Sequence, residues 1–230
     1  MIPLGDSTRR PINFPIMTVV LIAVNGCMFV LELLGGDAFI DRWSLVPADI
    51  TTLHGFITIF TSMFMHEGWE HILGNMLFFW VFAPEIEDVM GSWSFLIFYL
   101  LGGIAATAAQ VLIDPTSTIP NLGASGAIAA VMGAFLVTFP RDKIRTVVFL
   151  GWFSRVTFLP AVVMVGLWFG TQLFSEVGAL AQVQADGGVA YMAHIGGFVF
   201  GMLACRVFES RRRSRLSDLE PGLPFDRYEL

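Results

Sequence analysis

Six apolar stretches recur along this chain, at about 16–34, 69–83, 93–112, 125–139, 157–174 and 189–208, and they decide which solvent it folds in. Hydrocarbon about 30 Å thick is crossed by roughly 20 helical residues. Inside it every backbone N–H and C=O must bond within the protein, which a helix achieves by itself. Only 14 % of the residues are charged, against about 25 % in soluble domains, too few to cover a water-facing surface. The expected fold class is an all-α membrane protein with six transmembrane helices. Short connections leave no room for a second sizeable domain. Cys27 and Cys205 fall inside apolar stretches and read as small buried hydrophobes, not a disulfide framework.

The second and fourth stretches span about 15 residues each, roughly 22 Å as helix, so both are expected to start below one membrane face. The first follows Arg9 and Arg10, yet its apolar run exceeds a typical signal core and no small-x-small cleavage site follows, so it reads as a retained helix. Residues 35–68 mix Trp43, Phe56, Phe60 and Phe64 with Asp37, Asp41, Thr51 and Thr61, which suits an interfacial or re-entrant segment tied down by protein. From Glu209 the chain is polar, and Arg211, Arg212, Arg213 and Arg215 beside a span suit anionic headgroups better than nucleic acid. With the amino terminus inside, 12 of the 13 Lys and Arg residues fall on the inner side and only Arg42 outside. The positive-inside rule then places both termini in the cytoplasm. The compact size suggests a bacterial plasma membrane.

Polar groups inside spans are expensive and therefore candidates for function. Four fall near the outer ends of three helices that run the same way: His71 and Asn75 in the second, Ser125 opening the fourth, and His194 in the sixth. Ser125 stands in Gly123-Ala124-Ser125-Gly126, where a helix amino terminus offers free N–H groups to an oxyanion. A plain N-cap is the other reading. His194 shares one helix face with Gly197 and Gly201, and Ser125, Ala129 and Gly133 form a small face on the fourth helix. Two small faces would allow close approach, bringing imidazole to hydroxyl for general-base activation; a histidine satisfied by another helix with no chemistry is the other reading. His71 and Asn75, at i and i+4, stack on one face and can donate to an oxyanion or clamp a neighbouring helix. His66-Glu67-Gly68-Trp69-Glu70-His71 is one residue too long for the zinc signature His-Glu-x-x-His, so neither metal nor other cofactor is expected.

Together, His-x-x-x-Asn at His71 and Asn75, Gly-x-Ser-Gly at Gly123 to Gly126, and Ala-His-x-x-Gly-x-x-x-Gly at Ala193 to Gly201 resemble the rhomboid family of intramembrane serine proteases. The resemblance covers roughly 12–208, between a cytoplasmic segment 1–11 and a polar tail 209–230. It implies a rhomboid-like six-helix bundle with a partly embedded first loop. It also implies a Ser125–His194 dyad, and an oxyanion hole of His71, Asn75 and the Ser125 N–H. Gly123, Gly126, Gly197 and Gly201 would serve helix packing. The loop 175–188, with the fifth helix, would gate entry of transmembrane protein substrates from the bilayer. Two departures stand out: Gly55-Phe56 where some members carry Trp-Arg, and Ala129 where some place a tyrosine against the histidine. The expected activity is hydrolysis of a peptide bond in or near a substrate's transmembrane segment, in a site open to the outside. The alternatives are a non-catalytic rhomboid-like scaffold, against which the intact dyad speaks, and a small transporter, against which the missing inverted repeat speaks.

Overall fold

The computed structural model describes residues 1–150, 153–170 and 191–210. Among the described residues six helices of ten residues or more make up the bundle: α1 (Ile16–Trp43), α4 (Trp69–Met90), α5 (Ser92–Ile113), α6 (Ser125–Thr138), α7 (Ala161–Gly170) and α8 (Tyr191–Phe208). Between α1 and α4 lie the short α2 (Pro47–Thr51), α3 (Thr58–Thr61) and a 3₁₀ turn, Ser62–Phe64. Among the described residues two helices, α1 and α5, are long and apolar enough to cross a bilayer, and the described parts of α6, α7 and α8 are shorter apolar helices. Their outward faces carry Val20, Val24, Leu34, Ile97, Leu112, Leu167 and Leu203, all exposed. Such a surface suits lipid and not water.

Helix boundaries differ from the hydropathy reading, first at α1 and α4. Helix α1 does not end at 34 but kinks at Gly36 (φ 59°, ψ −156°) and resumes to Trp43; only glycine adopts that conformation cheaply. Helix α4 runs through Pro84 to Met90, where a connecting loop was expected. The reason is Glu87, 2 % exposed. Its carboxylate accepts the Met17 N–H (2.9 Å), the Thr18 N–H (2.7 Å) and hydroxyl (2.8 Å), and the Ser92 hydroxyl (2.6 Å). Helix α1 follows Pro15 and has no side-chain cap of its own. An acid from the end of α4 therefore satisfies its orphan donors and meets its positive dipole end.

An all-α chain was expected, and the structure corrects this. Strands β1 (Ile2–Asp6), β2 (Lys143–Leu150) and β3 (Phe153–Pro160) form an antiparallel sheet in that order. Thr157 to Pro160 therefore belong to β3, and the fifth helix starts at Ala161, not 157. A partial signal was present: β2 opens on the alternation Lys143-Ile144-Arg145-Thr146, and both strands are rich in β-branched and aromatic residues, which hydropathy averaging reads only as apolar. Residues 171–174, 189–190 and 211–230 of the expected spans and tail lie outside the described residues, as does the proposed gating loop 175–188. Cys205 is buried as expected, but Cys27 is exposed on the outer face of α1.

At the centre stands α6, buried at every position from Gly126 to Phe135. It packs against α8, α5 and α4. A Cβ on Gly197 would collide with the Gly126 carbonyl, one on Gly201 with the Ala130 carbonyl, and one on Gly133 with the Phe198 carbonyl. The two helices thus meet backbone to backbone, as small faces allow. The facing positions on α6 are Gly126, Ala130 and Gly133, not the expected Ser125, Ala129 and Gly133. Gly126 also touches α5, its Cβ position lying 2.5 Å from the Ala106 methyl.

Two expectations follow. Gly201→Val should unfold or inactivate the protein, and Gly201→Ala should be nearly as damaging, because the first carbon already meets the Ala130 carbonyl. Gly170→Val should be tolerated, since among the described residues nothing lies within 4 Å of its Cβ position; thermal melts in detergent compare the three. The second concerns Asp6, whose carboxyl burial, with Asp142 beside it, pushes up to about 7 despite the Thr8 N–H bond. The folded state then holds a proton that the unfolded chain, near the ordinary 3.8, releases. Stability should fall as pH rises from about 4 through 7, and Asp6→Asn should remove that part of the pH dependence in melts at pH 6 and 8.

Candidate active site

The site is built where the short helix α6 begins below the bundle's end. At 1.5 Å per residue its 14 residues rise about 21 Å, well short of hydrocarbon thickness. Ser125, its first residue, is therefore recessed into the protein. Two residues before it, Gly123 adopts φ +142°, and a Cβ there would lie 3.1 Å from the His71 ring. Glycine is required on both counts, and this fixes the turn against α4. The Gly123 N–H donates to the Ser62 carbonyl at 2.9 Å, which ties the turn to the segment before α4.

His194, 7 % exposed, sits in the first turn of α8. Its Nε2 lies 2.5 Å from the Ser125 hydroxyl. The seam of Gly197 and Gly201 on the same face sets this distance, because any wider helix separation would part the two groups. Across the cavity His71 and Asn75 project from α4. The Glu67 N–H points at His71 Nδ1 at 3.4 Å, which leaves Nε2 to carry the ring proton, on the side that faces Gly123. Asn75 Nδ2 is buried and, among the described residues, has no hydrogen-bond partner. A buried amide donor without a partner is costly, so this one is poised for a guest.

All four residues line one cavity of about 340 Å³, together with Glu67, Glu70, Phe78, Leu122, Met132 and Trp168. Every sequence-predicted polar residue is thus brought together. The exposed Glu67 and Glu70, whose place at the site sequence reasoning missed, make the cavity acidic. So was Trp168. Ala129 offers only a methyl where some rhomboids carry tyrosine, and the partner of the histidine turns out to be Trp168 of α7. The indole lies 5.8 Å from the His194 ring centroid and 6.5 Å from Phe78 of α4. No spacing in the sequence links α7 to His194, so only packing could reveal it. His66 and His71 meet edge to face at 5.1 Å, but Gly68 separates them from a common helix, and among the described residues no group of metal-ligating side chains forms a site.

The departure at Gly55-Phe56 also finds its answer. The first loop is held by Thr61 on the Trp43 carbonyl (2.7 Å) and by paired bonds between Leu45 and Asn121 (2.9 and 2.7 Å). The buried Glu32 carboxylate also receives the His66 N–H with both oxygens at 3.1 Å.

The class the structure defines is a membrane-embedded helical protein that carries a hydroxyl–imidazole pair inside its bundle. The description "Rhomboid domain" matches residues 53–211, more than half of the chain. The chain belongs to the rhomboid family, integral membrane proteins that are mostly intramembrane serine proteases. It is 28 % identical to the Saccharomyces cerevisiae "Rhomboid protein 1, mitochondrial" over 77 % of this chain and 50 % of that one. It is 27 % identical to the Bacillus subtilis "Rhomboid protease GluP" over 83 % of this chain and 34 % of that one. The human "Presenilin-associated rhomboid-like protein, mitochondrial" is 26 % identical over 61 % and 35 %. The chain spans half or less of these relatives' lengths.

Removing the indole should loosen the imidazole. Trp168→Ala is expected to slow labelling of Ser125 by a fluorophosphonate by roughly ten- to a hundredfold, the cost of a misplacement of about 1 Å, while Trp168→Phe keeps most of the rate. Adding Ala129→Tyr to Trp168→Ala should restore part of it. Unchanged labelling in Trp168→Ala would remove the indole from the site's support.

Proposed function

We propose that this protein is an intramembrane serine endopeptidase that cleaves a peptide bond in or near a transmembrane segment of its substrates. The observation that carries the reading is the 2.5 Å contact of Ser125 and His194 in a cavity that also holds the partnerless Asn75 amide. Ser125 Oγ attacks the scissile carbonyl carbon while its proton passes to His194 Nε2. The resulting oxyanion is met by Asn75 Nδ2–H, His71 Nε2–H and the Ser125 backbone N–H, one of the unpaired donors at the start of α6. His194 then gives its proton to the leaving amide nitrogen, and the C–N bond breaks to leave an acyl-enzyme on Ser125. A water attacks this ester, passes a proton to His194, and the new carboxyl terminus departs as Ser125 recovers its proton. No metal or cofactor takes part.

The surrounding frame is a bundle of six spans, with α4, α6, α7 and α8 crossing as shorter or more polar helices beside α1 and α5. The Lys and Arg count supports a cavity open to the outside and termini in the cytoplasm. Water reaches the recessed serine from that face, while substrate helices enter from lipid between α4 and α7. Phe78 and Trp168 meet there, so admission of a substrate segment would also disturb the packing of the general base.

Ser125→Ala and His194→Ala should each abolish cleavage of a model transmembrane substrate, and chelators should have no effect. Asn75→Ala should slow turnover by roughly 10²–10³-fold with little change in substrate binding. Wild-type protein that neither labels with fluorophosphonate nor cleaves would be a scaffold for client membrane proteins instead.

A further inference from the structure

The described parts of the sheet account for only part of their own surface. One side of it, with Ile144 and Thr146 fully buried, packs inward. The other side is read directly from the register. Arg145 pairs with Phe158, Val147 with Val156 and Phe149 with Ser154, and Ile2 of β1 pairs with Val147 on the same side. On this outer side Ile2 is 39 % exposed, Val156 51 %, Phe158 54 % and Phe149 56 %. Lys143 and Arg145 are exposed beside them. Neither β2 nor β3 contains a single acidic residue.

The height of the sheet follows from its contacts. Strand β1 packs on α4, and Asp6 lies within electrostatic reach of Glu85. Glu85 stands five residues before the end of α4 at Met90, about 7.5 Å along the axis. The sheet therefore leans on the flank of the helix rather than hanging beyond its end. At its base the Ala161 N–H donates to the Asp142 carbonyl at 2.7 Å, so β3 leads straight into α7. The outward Val162, Val163 and Leu167 of that helix are exposed apolar residues as well. An apolar surface thus continues from α7 onto the sheet, with cations at the junction.

We propose that the outer face of the β1–β2–β3 sheet is a lipid-binding surface. It lies in the headgroup layer at the arginine-rich end of the bundle. Ile2, Val156, Phe158 and Phe149 enter the acyl boundary, and Lys143 and Arg145 hold the phosphates of anionic lipids. Contiguous exposed apolar side chains signal an interaction surface. The absence of acidic residues from both strands matches that surface to a negatively charged one, and its height beside α4 places it where headgroups are. In interfacial helices the same pairing of an apolar face with Lys and Arg produces membrane binding. The inference is independent of the chemistry at Ser125.

The test places a nitroxide at Val156→Cys or Phe158→Cys in the full chain, with Cys27 and Cys205 replaced by alanine and folding checked by helicity and monodisperse elution. Proteoliposomes of phosphatidylcholine, with or without phosphatidylglycerol, are compared by collision with oxygen and with a water-soluble nickel chelate. The expected result is an oxygen preference at both sites, at least several-fold stronger with phosphatidylglycerol and lost in Lys143→Gln/Arg145→Gln. Labels open to the nickel chelate in both lipids would overturn the proposal. So would spin–spin broadening at these sites, which marks a second copy on this face, or an oxygen preference indifferent to the two cations. Cleavage or labelling at Ser125 enters none of these readouts.

Discussion

The backbone contact between α6 and α8 is the constraint on which the rest of the structure depends. Gly126 opposite Gly197, and Ala130 opposite Gly201, bring carbonyl oxygens to positions that a methyl would occupy. In lipid no hydrophobic force closes a gap between helices, so close packing of small residues must supply the attraction itself. The same contact sets the separation of Ser125 and His194, each near the start of its helix. One geometric fact thus serves both the stability of the core and the placement of the Ser125–His194 pair.

A second constraint concerns polar groups far from that pair. Helix α1 begins after a proline with no cap of its own, and Glu87 of α4 accepts three hydrogen bonds from its first turn, plus a fourth from Ser92 at the start of α5. Glu32 does the converse service near the other end, receiving the His66 N–H just before α4 starts. Both carboxylates are nearly inaccessible, at 2 % and 3 % exposure. Such acids staple α1 and the first loop to α4, the helix that carries His71 and Asn75.

The short length of α6 then acquires a purpose. A helix surrounded by protein need not match the bilayer, and stopping short sinks its amino terminus below the surface. The serine there meets a polar cavity and not lipid. The proposed oxyanion donors come from a different helix and the stacking indole from a third, so the site exists only while α4, α7 and α8 hold their places around α6.

By itself the sequence determined the chemical inventory and its depth. Apolar runs set the membrane-type surface, and motif spacing put His71 with Asn75, and His194 with Gly197 and Gly201, on single faces, because helical periodicity is local. Tertiary structure decided what local periodicity cannot reach. Which small residues of α6 face α8 was one residue off in the sequence reading, at Ala129 instead of Ala130, because a helix's rotation about its own axis is set by its neighbours. The extension of α4 past Pro84 depended on Glu87 finding the start of α1. The sheet depended on β1 meeting β2 across more than 130 residues of chain, as in the bond from Ser7 to Lys143. Trp168 became the neighbour of His194 only when α7 packed beside α8. Each of these is a contact between segments distant in sequence, and such contacts leave no periodic trace in either partner.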